Sequence, residues 1–125
     1  MSTRTIENKE FQIEIRRSRI VKKEGEKNPL LDIISENKKT DYFTQIYEIL
    51  SMPCKDGWNN TNLDKMKLRL DFMDKLKNAK INDKIQIHEL EYTELMAANE
   101  IYVFHATDNN VYDFIVYLNQ LPKDK

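Results

Sequence analysis

Two segments of the chain alternate apolar and polar residues, as half-buried β-strands do. In the first segment, Phe11, Ile13 and Ile15 share one face and polar residues occupy the other. The second segment is shorter and follows a turn-forming Asn-Asp pair. We predict strands over residues 10–21 and 84–90, joined in one small antiparallel sheet.

Other apolar residues recur every three or four positions, which indicates amphipathic helices. An Asn-Pro pair before an apolar run predicts a short helix over residues 28–34. Thr40 or Asp41 would cap the next helix, which Pro53 ends. Further helices are predicted over residues 62–79, over residues 90–99 and after Asp108, with an extended segment at residues 101–104.

The helix over residues 62–79 has apolar residues on two sides. A surface helix has one apolar stripe, so a second stripe implies a helix that packs on both sides. Such a helix is either central in the fold or shared with a partner. The first stripe contains Leu63, Met66, Leu70 and Met73, and the second contains Leu68, Phe72, Leu76 and Ala79.

The composition is that of a charge-rich folded domain. Charged residues make up 33% of the 125 residues and hydrophobic residues 40%, and a chain of this length can bury one core without staples. We predict a helix-dominated α+β fold in which four or five helices pack on a small antiparallel sheet. The predicted divisions are a flexible N-terminus at residues 1–9, a single domain at residues 10–122 and a tail at residues 123–125.

Charge, cysteine content and hydropathy narrow the class of protein. The net charge is -1, so no global field attracts nucleic acid or an anionic membrane, and such binding would have to be local. Cys54 is the single cysteine, which excludes an intramolecular disulfide and fits a reducing compartment. No segment has the apolar length of a membrane span or the core of a signal peptide, so no membrane association is expected.

Cofactor and metal motifs are missing from the sequence. Gly25 and Gly57 are its two glycines, too few for a Walker loop or a dinucleotide-binding loop. His88 and His105 lack the helical spacing that brings two imidazoles to one metal ion. We therefore expect no cofactor and no metal site, with His88 on a strand face and His105 in a loop or at a strand end.

Catalysis has two candidates in this sequence, and each has a simpler interpretation. Cys54 could act as a nucleophile, but it lacks the surrounding motif of a cysteine hydrolase. An acidic pair, either Asp71 with Asp74 or Glu89 with Glu91, could act as acid and base. Lysines flank these residues, however, and Asp71 has an i,i+4 partner in Lys75. We expect a solvated helix flank, no catalytic residues and no enzyme activity.

The basic stretch at residues 16–23 contains five basic residues and no acidic one. On a strand, Arg17 and Arg19 would share one face and Arg16 would lie on the other. A basic β-ribbon can contact phosphates, and each contact adds salt-dependent affinity. The alternative is a strand edge that charge protects from aggregation, because acidic residues flank the stretch.

Trp58 is the only tryptophan and lies in the predicted loop around Gly57. An exposed loop tryptophan can anchor an interface, and the alternative is that its ring folds back over the helix at residues 62–79. The residues predicted to bind a partner are Trp58, Arg16, Arg17 and Arg19.

Residues 42–118 combine four local patterns. They are a helix ending in an Ile-Leu-x-x-Pro turn, a Met- and Leu-rich helix with an Asp-x-Leu-x-x-Ala segment, an acidic strand, and an acidic-Tyr-x-x-Leu helix. The matching positions are Ile49, Leu50, Pro53, Gly57, Met66, Asp74, Leu76, Ala79, Leu90, Tyr92 and Leu95. In this order of patterns the chain resembles a family of small proteins encoded by bacteriophages and prophages. The resemblance implies a phage origin and no particular activity.

The predicted function is a non-enzymatic, phage-encoded protein–protein interaction protein. It would inhibit or adapt a host factor, or serve as a small virion assembly component, and it could form a homo-oligomer. The alternative is a small nucleic-acid-binding regulator that uses the basic β-ribbon, and a third possibility, a small-ligand protein, would need a polar pocket. The expected location is the cytoplasm of the infected bacterial host, or the virion.

Overall fold

The computed structural model describes residues 2–21, 30–104 and 106–125, without the side chains of residues 16–21 and 30–33. In these ranges the fold is α+β, with four helices and two two-stranded antiparallel sheets. The elements are β1 (Thr3–Glu7), β2 (Glu10–Val21), β3 (Leu30–Asp41), α1 (Tyr42–Ser51), α2 (Leu63–Leu76), β4 (Lys84–His88), α3 (Glu89–Ile101) and α4 (Asn109–Asn119).

The strands pair differently from the sequence-based prediction. β2 pairs with β3 along all 12 residues of each strand, and this pair is called the ribbon below. β1 pairs with β4 over 5 residues. The prediction that residues 10–21 and 84–90 share one sheet is wrong, because alternation shows which residues form a strand and not which strand lies beside it.

A strand takes the place of the helix predicted over residues 28–34, so that prediction is wrong from Leu30 onward. The two residues before Leu30 lie outside the described part of the chain. The apolar run contains the β-branched residues Ile33 and Ile34, and a run this short does not distinguish a helix from a strand by period. Pairing with β2 decides the outcome.

The N-terminal segment is an ordered strand tied to the rest of the fold. Ile6 is fully buried in the core. The Arg4 guanidinium donates to the Glu89 carboxylate at 2.9 Å and also to the Leu121 carbonyl. The flexible N-terminus predicted for residues 1–9 is therefore wrong for β1, since one buried isoleucine in a polar segment is too weak a pattern to indicate a strand.

Side-chain caps fix the beginnings of three helices. The Asp41 carboxylate accepts from the Thr44 N–H at 2.7 Å, and Asp108 caps α4 in the same way. At the start of α3, His88 Nδ1 accepts from the Glu91 N–H while the Glu91 carboxylate accepts from the His88 N–H. The caps predicted at Asp41 and Asp108 are confirmed.

α2 is shorter than the helix predicted over residues 62–79, and it packs on one side. It ends at Leu76, and Asn78 then adopts the left-handed conformation with φ 63°. The second predicted stripe faces α1 and α3 through Phe72 and Leu76. The central position predicted for this helix is wrong, whereas sharing its other side with a partner stays a prediction.

The elements after α2 follow the prediction closely. β4 and α3 confirm the strand predicted from residue 84 and the helix predicted over residues 90–99, although α3 extends to Ile101. The extended segment predicted at residues 101–104 is wrong at Ile101, which belongs to α3. Residues 102–104 have no regular secondary structure.

One hydrophobic core joins the four helices to β1 and β4. Phe11 extends it to the ribbon, because its ring lies 5.8 Å from Phe114 and 5.5 Å from Tyr42. Burial of this apolar surface is the main force that holds the elements together. The buried members are Ile6, Phe43, Ile46, Ile49, Leu50, Phe72, Leu76, Ile87, Tyr92, Leu95, Ala98, Phe114, Leu118 and Leu121.

Replacing Ile6 with alanine tests whether β1 is part of the folded core. The substitution should lower the free energy of unfolding by about 2–5 kcal/mol, because it removes buried methyl groups and leaves a cavity. The measurement is urea denaturation followed by circular dichroism. Ile81→Ala is the matched control, since that side chain is 40% exposed and its loss should have little effect. Equal midpoints for the two variants would show that β1 is not packed as described.

Candidate interaction surfaces

The outer face of α2 carries an apolar stripe that the described chain covers only in part, because Met73 packs against the hydrophobic core while Leu63 and Leu70 stay exposed. Leu63 is 51% exposed and Leu70 is 48% exposed, and Met66 and Met73 are partly buried between and beside them. These four residues, called the outer stripe below, are spaced 3, 4 and 3 positions apart. That spacing is the one by which a helix presents a seam to another helix.

Charged residues border the outer stripe. Lys67 Nζ lies 3.0 Å from the Asp71 carboxylate, and both side chains are well exposed. Lys75, predicted as the partner of Asp71, instead reaches the Glu91 carboxylate at 2.6 Å. The buried carboxylate of Glu91 is the better partner, since an ion pair shielded from water is stronger than a solvated one.

The inner side of α2 contains a buried ion pair. Arg69 Nε lies 2.8 Å from the Glu94 carboxylate on α3, and these side chains are 3% and 8% exposed. Arg69 also donates to the Met52 carbonyl, just past the end of α1, at 2.8 Å. A guanidinium is suited to this position because it donates in several directions at once. Arg69 therefore connects three helices.

Trp58 packs against the same arginine. The Arg69 guanidinium lies 4.8 Å from the centre of the Trp58 ring, within the range of a cation–π contact, and the ring is half-buried. The structure thus places Trp58 in the folded-back position. Arg69 lies one turn from Met66 of the outer stripe. A contact between Trp58 and a partner stays a prediction.

Cys54 takes part in the turn that carries Trp58. Its thiol donates to the Gly57 carbonyl at 2.8 Å, and the Asn62 amide donates to the Cys54 sulfur at 3.2 Å. Gly57 has φ 78°, a conformation that other residues rarely adopt. These hydrogen bonds give Cys54 a structural role in the loop that precedes α2.

His88 is occupied by the start of its own helix. Its ring caps α3 and lies 3.4 Å from the Glu91 carboxylate, which also binds Lys75. Within the described ranges, no three histidine, cysteine or acidic side chains are arranged to hold a metal ion. His105 lies outside the described residues.

Residues 16–21 of the basic stretch lie on β2 of the ribbon, as predicted for a strand, and residues 22–23 lie outside the described residues. The register places Arg16, Arg17 and Arg19 of β2 opposite Ser35, Ile34 and Asp32 of β3. Their side chains belong to the part that the structure does not describe, so their role in binding a partner stays a prediction.

A cleft of about 420 Å³ separates the ribbon from the segment after α3. Ile13, Phe104 and Val111 form part of its apolar wall. At its polar end Tyr102 donates to the Glu48 carboxylate at 3.3 Å. Burial and the nearby Glu48 charge raise the pKa of Tyr102, so the hydroxyl stays protonated and available as a donor. Sequence reasoning missed this cleft, whose walls come from distant segments.

No family model, curated protein or solved structure matches this chain. In the described ranges, no helix combines the length and apolar character needed to cross a membrane.

Removing one partner of the buried ion pair should destabilise the fold. Arg69→Met or Glu94→Met alone should lower the free energy of unfolding by about 3–5 kcal/mol, because each leaves a buried charge without its partner. The double variant Arg69→Met/Glu94→Met should recover most of this loss, since neither charge is then left buried.

Chemical denaturation of the wild type, both single variants and the double variant measures this coupling. Lys67→Met is the control, because it breaks an exposed ion pair on the same helix and should change stability by less than about 1 kcal/mol. Additive effects of the two single substitutions would contradict a direct Arg69–Glu94 interaction.

Proposed function

We propose that this chain is a non-enzymatic protein-interaction protein whose outer stripe receives an amphipathic helix of a partner protein. The observation that carries the proposal is the half-exposure of Leu63 and Leu70 on a helix whose other side is packed. Leu63 and Leu70 are one heptad apart and suit successive a positions of a two-helix seam, and Met66 suits the d position between them. Burial of the two leucines would contribute favourable free energy to binding.

The surroundings of the outer stripe support binding over catalysis. Methionine side chains adapt to different apolar surfaces, and the Lys67–Asp71 pair provides a polar rim of both signs. Trp58 adds aromatic area to α2, because its ring packs on the guanidinium of Arg69. A partner helix with apolar residues at heptad spacing and mixed charge beside them would complement this surface.

The biological setting of the proposal comes from the resemblance to phage-encoded proteins. In that setting the partner is a host protein that the chain inhibits or adapts, or a viral protein assembled with it in the virion. Both choices are compatible with one exposed seam on a small folded body.

Charge introduced on the outer stripe should abolish partner binding. Leu63→Asp and Leu70→Asp should each weaken binding at least about tenfold, because a carboxylate would be buried against the partner helix. Trp58→Ala should weaken the same binding without unfolding the protein. The measurement is a tagged pull-down from a bacterial lysate treated with nuclease, with the recovered proteins quantified for each variant.

Leu90→Asp is the matched control, since Leu90 is 59% exposed on a different helix. A partner lost with both stripe variants and kept with this control supports the proposal, provided that all variants unfold at similar denaturant concentrations. Recovery of the same proteins by every variant would exclude the outer stripe as the binding surface.

A second candidate function, nucleic-acid binding, is favoured by the observed ribbon. A two-stranded β-ribbon fits the major groove of duplex DNA, and 12 residues per strand extend about 40 Å. Arg16, Arg17 and Arg19 lie in the half of β2 that is farther from its beginning at Glu10.

Neutralising these arginines separates the two candidate functions. If the ribbon binds nucleic acid, Arg16→Gln/Arg17→Gln/Arg19→Gln should reduce affinity for duplex DNA and flatten its salt dependence by about 2–3 units of the log–log slope. Fluorescence anisotropy over a salt series measures both. Lys65→Gln/Lys67→Gln/Lys77→Gln removes the same charge from the region of α2, and an equal effect of this control would indicate unspecific attraction.

A further inference from the structure

In the described part of the chain, other groups of the protein bond to three of the four outer strand edges, although they reach the edge of β2 only near its beginning. A strand beside only one neighbour leaves half of its backbone N–H and C=O groups pointing outward. On β1, the Thr3 carbonyl accepts from the Asp124 N–H at 2.8 Å, and the Glu7 N–H donates to the Tyr117 hydroxyl at 3.1 Å. The C-terminal residues and α4 therefore cover β1.

The ion-pair network of α2 and α3 covers β4. Lys75 Nζ donates to the Gln86 carbonyl at 3.3 Å, and the Glu91 carboxylate accepts from the His88 N–H at 3.1 Å. Lys75 and Glu91 are themselves paired at 2.6 Å. The edge of this strand is thus bonded from the side of the helices.

The start of α4 covers the outer edge of β2 near the body of the protein. The Glu14 N–H donates to the Asp108 carboxylate at 2.9 Å, and the Asn110 amide donates to the Gln12 carbonyl at 2.7 Å. The backbone N–H and C=O groups of the even-numbered residues of β2 therefore point away from β3. The bond from the Tyr42 N–H to the Lys9 carbonyl at 3.0 Å agrees, since it places the odd-numbered positions inside the ribbon.

The same alternation identifies the outward groups of β3. A β3 residue that lies opposite an even-numbered residue of β2 directs its own backbone N–H and C=O groups away from β2. Between residues 35 and 39, these residues are Ser35, Asn37 and Lys39. Their side chains are exposed, and no described group bonds to their outward backbone atoms. These three residues define the β3 edge, which the described groups leave unbonded between residues 35 and 39.

The side chains beside the β3 edge have charges that would complement those of an identical antiparallel strand. If Asn37 lies opposite Asn37 of an antiparallel second copy, Glu36 falls opposite Lys38 of that copy, and Lys38 falls opposite its Glu36. Opposite charges directly across an antiparallel pair stabilise it. Neither Glu36 nor Lys38 has an ion-pair partner within the described residues, so both are available.

We propose that two copies of this chain pair through their β3 edges, antiparallel and centred on Asn37, to form a four-stranded sheet from two ribbons. The three opposed pairs of outward residues form about six backbone hydrogen bonds, and two Glu36–Lys38 pairs fix the register. Lysines on an edge strand normally repel other strands. Here Glu36 would face Lys38 of the second copy, so two identical strands would attract each other. This inference does not depend on the proposed use of the outer stripe.

A charge-exchange experiment tests the register. Glu36→Lys and Lys38→Glu should each weaken the homodimer about tenfold or more, because like charges then face each other twice across the two-fold axis. A mixture of the two variants should form a heterodimer of near wild-type affinity, since every Lys then faces a Glu. Sedimentation equilibrium of the full chain over a concentration series, alone and mixed, measures these affinities.

Two further variants separate pairing from folding. Asn37→Pro removes an outward N–H that the ribbon itself does not use, so the dimer should be lost while circular dichroism is unchanged. Lys39→Glu is the matched control. It makes the same charge change one residue away, but its side chain would face Ser35 of the second copy, and it should change dimer affinity less than threefold.

A wild-type chain that stays monomeric at the highest concentration reached overturns the proposal. So does a dimer that tolerates Asn37→Pro, or a mixture of Glu36→Lys and Lys38→Glu that associates no better than each variant alone. A dimer sensitive to Leu70→Asp and insensitive to the β3 variants would assign self-association to the outer stripe instead.

Discussion

A two-stranded sheet leaves about as many backbone groups unpaired as it pairs, and the described part of this chain contains two such sheets. Unpaired groups that lose contact with water cost free energy, so each strand edge needs either solvent or a partner. In this protein the partners are largely side chains from the helices. Lys75, Asp108 and Tyr117 each place a polar group against a strand edge. The helices therefore supply backbone partners in addition to the hydrophobic core.

This use of side chains explains where the buried charges lie. Glu91 is almost fully buried, yet it accepts from Lys75 and from the backbone of His88, so its desolvation is offset by bonds on two sides. Arg69 is similarly compensated by Glu94 and the Met52 carbonyl. Both networks connect α2 to α3, so α2 is held by directional bonds as well as by Phe72. A helix fixed in this way can leave its other side exposed without losing its position.

The sequence predicted the local elements better than their partners. Caps at Asp41 and Asp108 and the strand at β2 were identifiable because each depends on a few neighbouring residues. β1 was missed because its burial rests on Ile6, and its bonds come from residues more than seventy positions away. The first five residues of β3, up to Ile34, were predicted as a helix because so short an apolar run fits both periods and only its pairing with β2 identifies a strand. The proposed binding surfaces were hard to predict for the same reason, because they depend on contacts between distant parts of the sequence.

The outer stripe shows how a surface can be predicted in part. Two apolar arcs on one helix were visible in the sequence, and the choice between a central helix and a shared one required knowledge of what packs on each arc. Phe72 and Leu76 are covered, and Leu63 and Leu70 are not. By contrast, the β3 edge follows from the parity of its hydrogen bonds, which no residue pattern displays. The two surfaces lie on different elements and use different forces, apolar burial for one and backbone pairing for the other. The proposed dimer and the proposed helical partner would therefore not compete for contact residues.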